Sequence, residues 1–216
     1  MLANTFVDKR TIAMKKLLFL GDSVTDSHRL WLPAKYEGLG DGFVKMAADA
    51  LRSRNESVQI INKGHDGLTL SGLIDRLPTD CLALQPDVVT ILIGINDVGV
   101  SKSTGISLES RQFPKQFQSL VQDLLANTRA RILCLGPFIF PYPEEYLNWI
   151  PETLRAEHWI AEICAKYHIP FLPLQDHLNK KAGQMGYGAL TIDGIHPTSA
   201  GHKIICEKWL SLYNSI

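Results

Sequence analysis

Apolar runs and helical stripes alternate along this chain from one end to the other. Short β-rich runs occupy Lys16–Leu20, Val58–Ile61, Val88–Ile93 and Arg131–Leu135, with a weaker one at Ile169–Leu172. The first four are nearly continuous in apolar residues, as expected of strands covered on both faces in a parallel sheet. Between them lie helical patterns. Phe113, Phe117, Leu120, Val121 and Leu124 follow the i, i+4, i+7, i+8, i+11 spacing of one apolar stripe. Asp41 is placed to cap a helix running to about Asn55. Ser199 is placed to cap the last helix, whose stripe is Ile204, Ile205, Trp209 and Leu212. Strand, helix, strand, helix predicts an α/β fold: a three-layer α/β/α sandwich around a parallel sheet of about five strands.

In such a sheet, ligands bind beyond the carboxyl ends of the strands. The segments after the strands therefore converge, however far apart they lie in sequence. They read Gly21-Asp22-Ser23, then Asn62-Lys63-Gly64-His65-Asp66-Gly67, then Gly94-Ile95-Asn96-Asp97, then Gly136-Pro137-Phe138. Asp193-Gly194-Ile195-His196-Pro197 follows just before the last helix.

Acyl transfer needs an exposed nucleophile, a base and donors for an oxyanion. Ser23 suits the nucleophile, although a serine there is equally a plain helix cap. It lacks the flanking glycines of a Gly-x-Ser-x-Gly elbow. Asp193 and His196 stand three apart, so the carboxylate can hold one ring nitrogen while the other faces a hydroxyl. The Asn96 amide can donate toward an oxyanion, and its ordinary alternative is a turn residue. Gly64 would let its own N–H approach the same point with no Cβ in the way.

Composition narrows the function classes. Hydrophobic residues make up 45% of the 216 and charged residues 20%, which is globular rather than disordered. Lys plus Arg is 22 and Asp plus Glu is 22, so no overall field steers the chain to nucleic acid or an anionic membrane. Cys81, Cys134, Cys164 and Cys206 are scattered, without zinc-ligand spacing, and read as reduced, buried residues of a cytoplasmic protein. No metal and no cofactor is expected: the histidines show no HExxH or HxxxH pair. No apolar run approaches the length of a membrane span. Met14–Leu20 imitates the start of a signal peptide, but its apolar stretch is too short. The expectation is one domain over 14–216, with 1–13 a leader or extension. Gly38, Gly40 and Gly42 read as a mobile loop near the nucleophile, because no strand leads into them as a phosphate loop requires. Phe138, Phe140, Tyr142, Tyr146 and Trp149 form an aromatic segment, as open to walling an acyl pocket as to simple packing. Phe138, Trp31 and Leu68 suggest a shallow pocket. His202 lacks an acid three residues before it and is set aside as base.

Taken together, the blocks GDS, NKGxxG, GxND and DGxHP resemble the SGNH, or GDSL-type, esterase superfamily, from about Lys16 onward. The resemblance implies a flavodoxin-like SGNH hydrolase fold. It makes Ser23 the nucleophile, His196 the base and Asp193 the orienting acid. The oxyanion hole would be the Ser23 N–H, the Gly64 N–H and the Asn96 side chain. GDSxTD, NKGxxG and IGINDV look most like small intracellular acetylxylan esterases, which act on acetylated xylo-oligosaccharides and can form homo-oligomers. The implied function is a serine esterase removing short acyl groups, acetyl foremost, from a small-molecule or oligosaccharide ester. A lysophospholipase or acyl thioesterase would use the same machinery, and a catalytically silent binding module is the reading from outside enzymology.

Overall fold

The computed structural model describes residues 14–216; the expected leader 1–13 lies outside the described residues. Strands β1 (Lys15–Gly21), β2 (Val58–Gly64), β3 (Val88–Leu92), β4 (Arg131–Leu135) and β5 (Phe171–Leu172) form one parallel sheet. Their order is β2-β1-β3-β4-β5. The helices are α1 (Ser23–Asp26), α2 (Phe43–Ser53), α3 (Leu70–Asp80), α4 (Ile95–Thr104), α5 (Phe113–Asn127), α6 (Ile150–Lys166), α7 (Leu174–Met185) and α8 (Ser199–Tyr213).

The continuous apolar runs follow from two cores, one on each face of the sheet. Leu17 and Phe19 of β1 pack toward α2, α7 and α8, while Leu18 and Leu20 pack toward α3, α5 and α6. Alternate residues of one strand thus serve opposite layers, and none can be polar without a partner. Thr90 in β3 is polar and has its partner: its Oγ1 accepts the Trp209 indole N–H at 2.9 Å. Trp209 is fully buried, against Phe19 and stacked on Tyr213.

Register sets the strand ends level. Gly21 is opposite both Gly64 and Leu92, so the loops after β1, β2 and β3 open on one edge. Two helix starts differ from expectation. Gly42 occupies the cap of α2, since Asp41 turns outward to His28. Thr198 rather than Ser199 caps α8, accepting from the Gly201 N–H. β2 runs past Ile61 to Gly64, and β5 is only the pair Phe171–Leu172. Among the described residues, no helix is long and apolar enough to cross a membrane. All four cysteines are buried and unbridged.

Candidate active site

β1 ends at Gly21, where any Cβ would strike Thr25 Oγ1 and the Leu92 carbonyl, so the chain turns tightly into α1. Asp22 closes that turn by accepting the Val24 N–H at 3.0 Å. Ser23, half-buried, then stands on the edge of the sheet with Oγ 2.9 Å from His196 Nε2. On the other side of the ring, His196 Nδ1 lies 2.6 Å from Asp193 Oδ2. Asp193 Oδ1 accepts the N–H groups of Ile195 and His196 at 2.9 and 2.8 Å. Burial pushes the Asp193 carboxyl upward, but the His196 and Ile195 hydrogen bonds outweigh it and hold it below the usual carboxylate range. An ionised Asp193 requires the proton on Nδ1, which leaves Nε2 to accept from the serine hydroxyl.

The loop carrying this pair is braced from two sides. Thr191 Oγ1 donates to the His196 carbonyl at 3.0 Å and accepts the Gly194 N–H at 2.7 Å. Gly194 has φ +95°, and a Cβ there would strike the Tyr142 carbonyl and the Tyr146 ring. Here the aromatic segment finds its use. Phe138 and Phe140 are core residues, and Tyr146, packed edge-on to Trp149, supports the Asp193–His196 loop.

Of the expected donors for a developing oxyanion, one is already engaged. The Gly64 N–H is already given to Asn62 Oδ1 at 2.8 Å. Gly64 is glycine for a packing reason: a Cβ there would strike the backbone of Asp26. Gly67 lines the same cavity as Ser23, Asn96 and His196, and no hydrogen-bond partner among the described residues takes its N–H. Its φ of +68° belongs to a turn closed by the Leu68 N–H to the His65 carbonyl. The Asp66-Gly67 dipeptide is the sequence signal for that turn. Asn96 Nδ2 spends one hydrogen on the Leu68 carbonyl at 3.0 Å, and the second remains for a ligand. The Ser23 N–H likewise has no partner among the described residues.

The cavity has a volume of about 500 Å³, with Val24, Ile192, Ile195 and Pro197 as its apolar walls. Phe138, Trp31 and Leu68 do not line it, so the basis for a shallow pocket is absent; Trp31 is 82% exposed. Of the three glycines expected to form a loop near the nucleophile, Gly38 is exposed while Gly40 and Gly42 are buried, and a Cβ on Gly42 would strike Ser27 Oγ and His202. His202 is the neighbouring imidazole that does not serve Ser23. Its Nδ1 accepts the Phe43 N–H at 3.2 Å and its Nε2 meets Ser27 Oγ at 3.3 Å. Burial pushes it down to about 4. Burial also pushes Asp22 up to about 7 and Asp97, which accepts the Leu70 N–H, up to about 6. Asn62 was not singled out in the sequence, yet its buried amide fastens the nucleophile turn. Among the described residues, no group of three or more His, Cys, Asp or Glu is placed to hold a metal ion.

A five-stranded parallel sheet with this serine, histidine and aspartate at its edge is the arrangement of an ester hydrolase. Residues 19–204 match the GDSL-like Lipase/Acylhydrolase family, and the chain belongs to it. An acetylxylan esterase from Geobacillus stearothermophilus is 28% identical over 208 residues, covering 91% of this chain and 92% of that protein. A solved structure of that esterase superposes with a TM-score of 0.80 at 26% identity, covering 92% of this chain and 93% of the other. A GDSL-like lipase from Parabacteroides merdae shares the fold with a TM-score of 0.85 at 24% identity, over 93% and 96% of the two chains. The protein is a carboxylic ester hydrolase.

Proposed function

We propose that this chain removes short acyl groups, acetyl foremost, from carbohydrate esters through an acyl-enzyme on Ser23. The observation that carries the reading is the relay of 2.9 Å from Ser23 Oγ to His196 and 2.6 Å from His196 to Asp193. The relative's name supplies the acetyl and carbohydrate parts, and two of its solved forms are catalytic mutants, one lacking a serine and one an aspartate.

Ser23 Oγ attacks the ester carbonyl carbon as His196 Nε2 takes the hydroxyl proton. Negative charge gathers on the former carbonyl oxygen, which the Ser23 N–H, the Gly67 N–H and the Asn96 amide are placed to receive. Collapse expels the alcohol, which leaves with the proton from His196. Water then gives its proton to His196, attacks the acyl-serine, and releases the carboxylic acid with Ser23 restored. The Asp193 carboxylate stabilises the imidazolium in both halves and keeps the ring oriented.

Ser23→Ala tests the reading. Turnover of an acetate ester and labelling by a serine-directed phosphonate are both expected to vanish while the melting temperature stays within a few degrees. Retained turnover rejects Ser23 as nucleophile.

A further inference from the structure

The turn after α1 contains two consecutive non-glycine residues in the left-handed region, Ser27 at φ +44° and His28 at φ +63°. Such backbone is costly, and the surroundings must enforce it. For Ser27 the compensation is visible. Its hydroxyl donates to the Val24 carbonyl at 3.1 Å and meets the buried His202 at 3.3 Å. His28 has no comparable burial. Its side chain is 69% exposed, and its one polar partner among the described residues is Asp41, Nδ1 to Oδ1 at 3.2 Å, itself 46% exposed. An exposed pair of this kind returns little stability.

The Gly-rich stretch before α2 is built to deliver that partner. Gly40, at φ +79°, passes so close that a Cβ would strike the carbonyls of Asp26 and Ser27. The Asp41 N–H then donates to the Ser27 carbonyl at 3.0 Å. Two strained or crowded segments thus converge to place a His–Asp pair in the open, and His28 lines the same cavity as Ser23 and His196. With Nδ1–H directed to the Asp41 carboxylate, Nε2 is left as an acceptor, and the second Asp41 oxygen is another. A pair of acceptors beside an ester site suits donors that come in pairs.

We propose that His28 and Asp41 bind the free hydroxyls of the alcohol half of the ester, adjacent O–H groups on a sugar ring, and so select glycosyl esters over hydroxyl-free ones. This rests on the carbohydrate-ester reading above. His28 acts on leaving-group selection, not on proton transfer at Ser23.

The test compares kcat/KM for a monoacetylated methyl xylopyranoside with that for cyclohexyl acetate, a ring of similar shape without hydroxyls. The wild-type ratio is expected to lie well above one, and His28→Ala to lower it about five- to tenfold, the worth of one or two hydrogen bonds. Asp41→Asn is expected to lower it less. His28→Gly keeps the trial independent of folding: relief of the positive φ should hold or raise the melting temperature while the ratio falls. A high wild-type ratio that His28→Ala and His28→Gly leave unmoved overturns the proposal alone. A ratio near one in the wild type, with cyclohexyl acetate hydrolysed, overturns the carbohydrate reading and the proposal with it. Hydrolysis of neither ester rejects the active site itself.

Discussion

Asn62 Nδ2 donates to the Thr25 carbonyl at 2.7 Å, so the last turn of β2 and the turn that carries Ser23 move as one piece. The same amide reaches the Leu39 carbonyl at 2.9 Å, and its oxygen takes the Gly64 N–H. Asn62 is buried, so no water stands ready to replace it. Asn62→Ala strands backbone groups that each cost about 1–3 kcal/mol when buried unpaired. A loss of about 2–4 kcal/mol is expected, or about 5–15 °C in melting temperature. Thermal denaturation of the Ala variant checks this, and an unchanged midpoint would mean the fastening is elsewhere.

Asn96 faces a different trial, because its spare amide hydrogen is to act as charge develops. Asn96→Ala is expected to lower kcat about 10²–10³-fold, or about 2.7–4 kcal/mol, with KM little changed. Asn96→Asp should be as slow or slower, since a carboxylate offers the oxyanion no donor. Near-normal kcat in a stable Ala variant removes Asn96 from the site.

The two glycines of the loop after β2 separate in the same experiment. Gly64→Ala drives a Cβ into the Asp26 backbone and is expected to cost stability first. Gly67→Ala meets open space and only the left-handed penalty of about 1–2 kcal/mol, so a folded protein with reduced kcat is expected. Both variants keep their backbone N–H, so melting curves beside kcat separate a packing role from a positioning one. Full kcat in Gly67→Ala would mean the left-handed turn is not what positions that N–H.

Two buried groups give stability slopes of opposite sign. Asp22 rises from 3.8 to about 7, so between these values the folded state keeps a proton that the unfolded chain has released. Its contribution therefore declines as pH climbs through that window. His202 falls from 6.5 to about 4, so the unfolded chain takes up a proton first, and its contribution is lost as pH drops from 6.5 toward 4. Asp22→Asn keeps an acceptor for the Val24 N–H yet cannot ionise; relative to wild type it should gain stability from pH 5 to 8. His202→Gln should lose the acid slope. Melting temperature against pH for the three proteins decides, and an Asp22→Asn curve parallel to wild type would contradict the first slope.

Acyl length is the remaining trial. Under the acetyl reading proposed above, and not from any shallowness of the cavity, acetate is expected to exceed octanoate in kcat/KM. Each methylene seated against apolar walls gains up to about 0.8 kcal/mol, so a rising series would point to a lipid or thioester substrate.

The sheet was legible because alternate residues of Leu17–Leu20 feed opposite cores, which forces an unbroken apolar run. Ser23, Asn96 and the Asp193–His196 pair stood out because topology sends strand ends to one edge. Glycine was harder to read. A glycine is silent on whether it serves a positive φ, as at Gly67, or a close approach, as at Gly64. Tertiary packing around each glycine, which no local pattern encodes, carries that distinction. Asp41 looked like a helix cap because its partner, His28, lies thirteen residues away across a fold-dependent contact. Phe138 and Phe140 follow a strand end, yet point into the core, a direction no local pattern encodes.

The Trp209 indole, clasped between Thr90 and Tyr213 under α8, makes the molecule report on itself optically. Held dry and rigid, it should emit toward the blue and resist a soluble quencher. Trp31, out in solvent, should be quenched at once. With the half-buried Trp149 and Trp159 replaced by Phe, a quencher titration resolves the two populations. Loss of protection at Trp209 then times the departure of α8 from the sheet, separately from any motion at the mouth of the cavity.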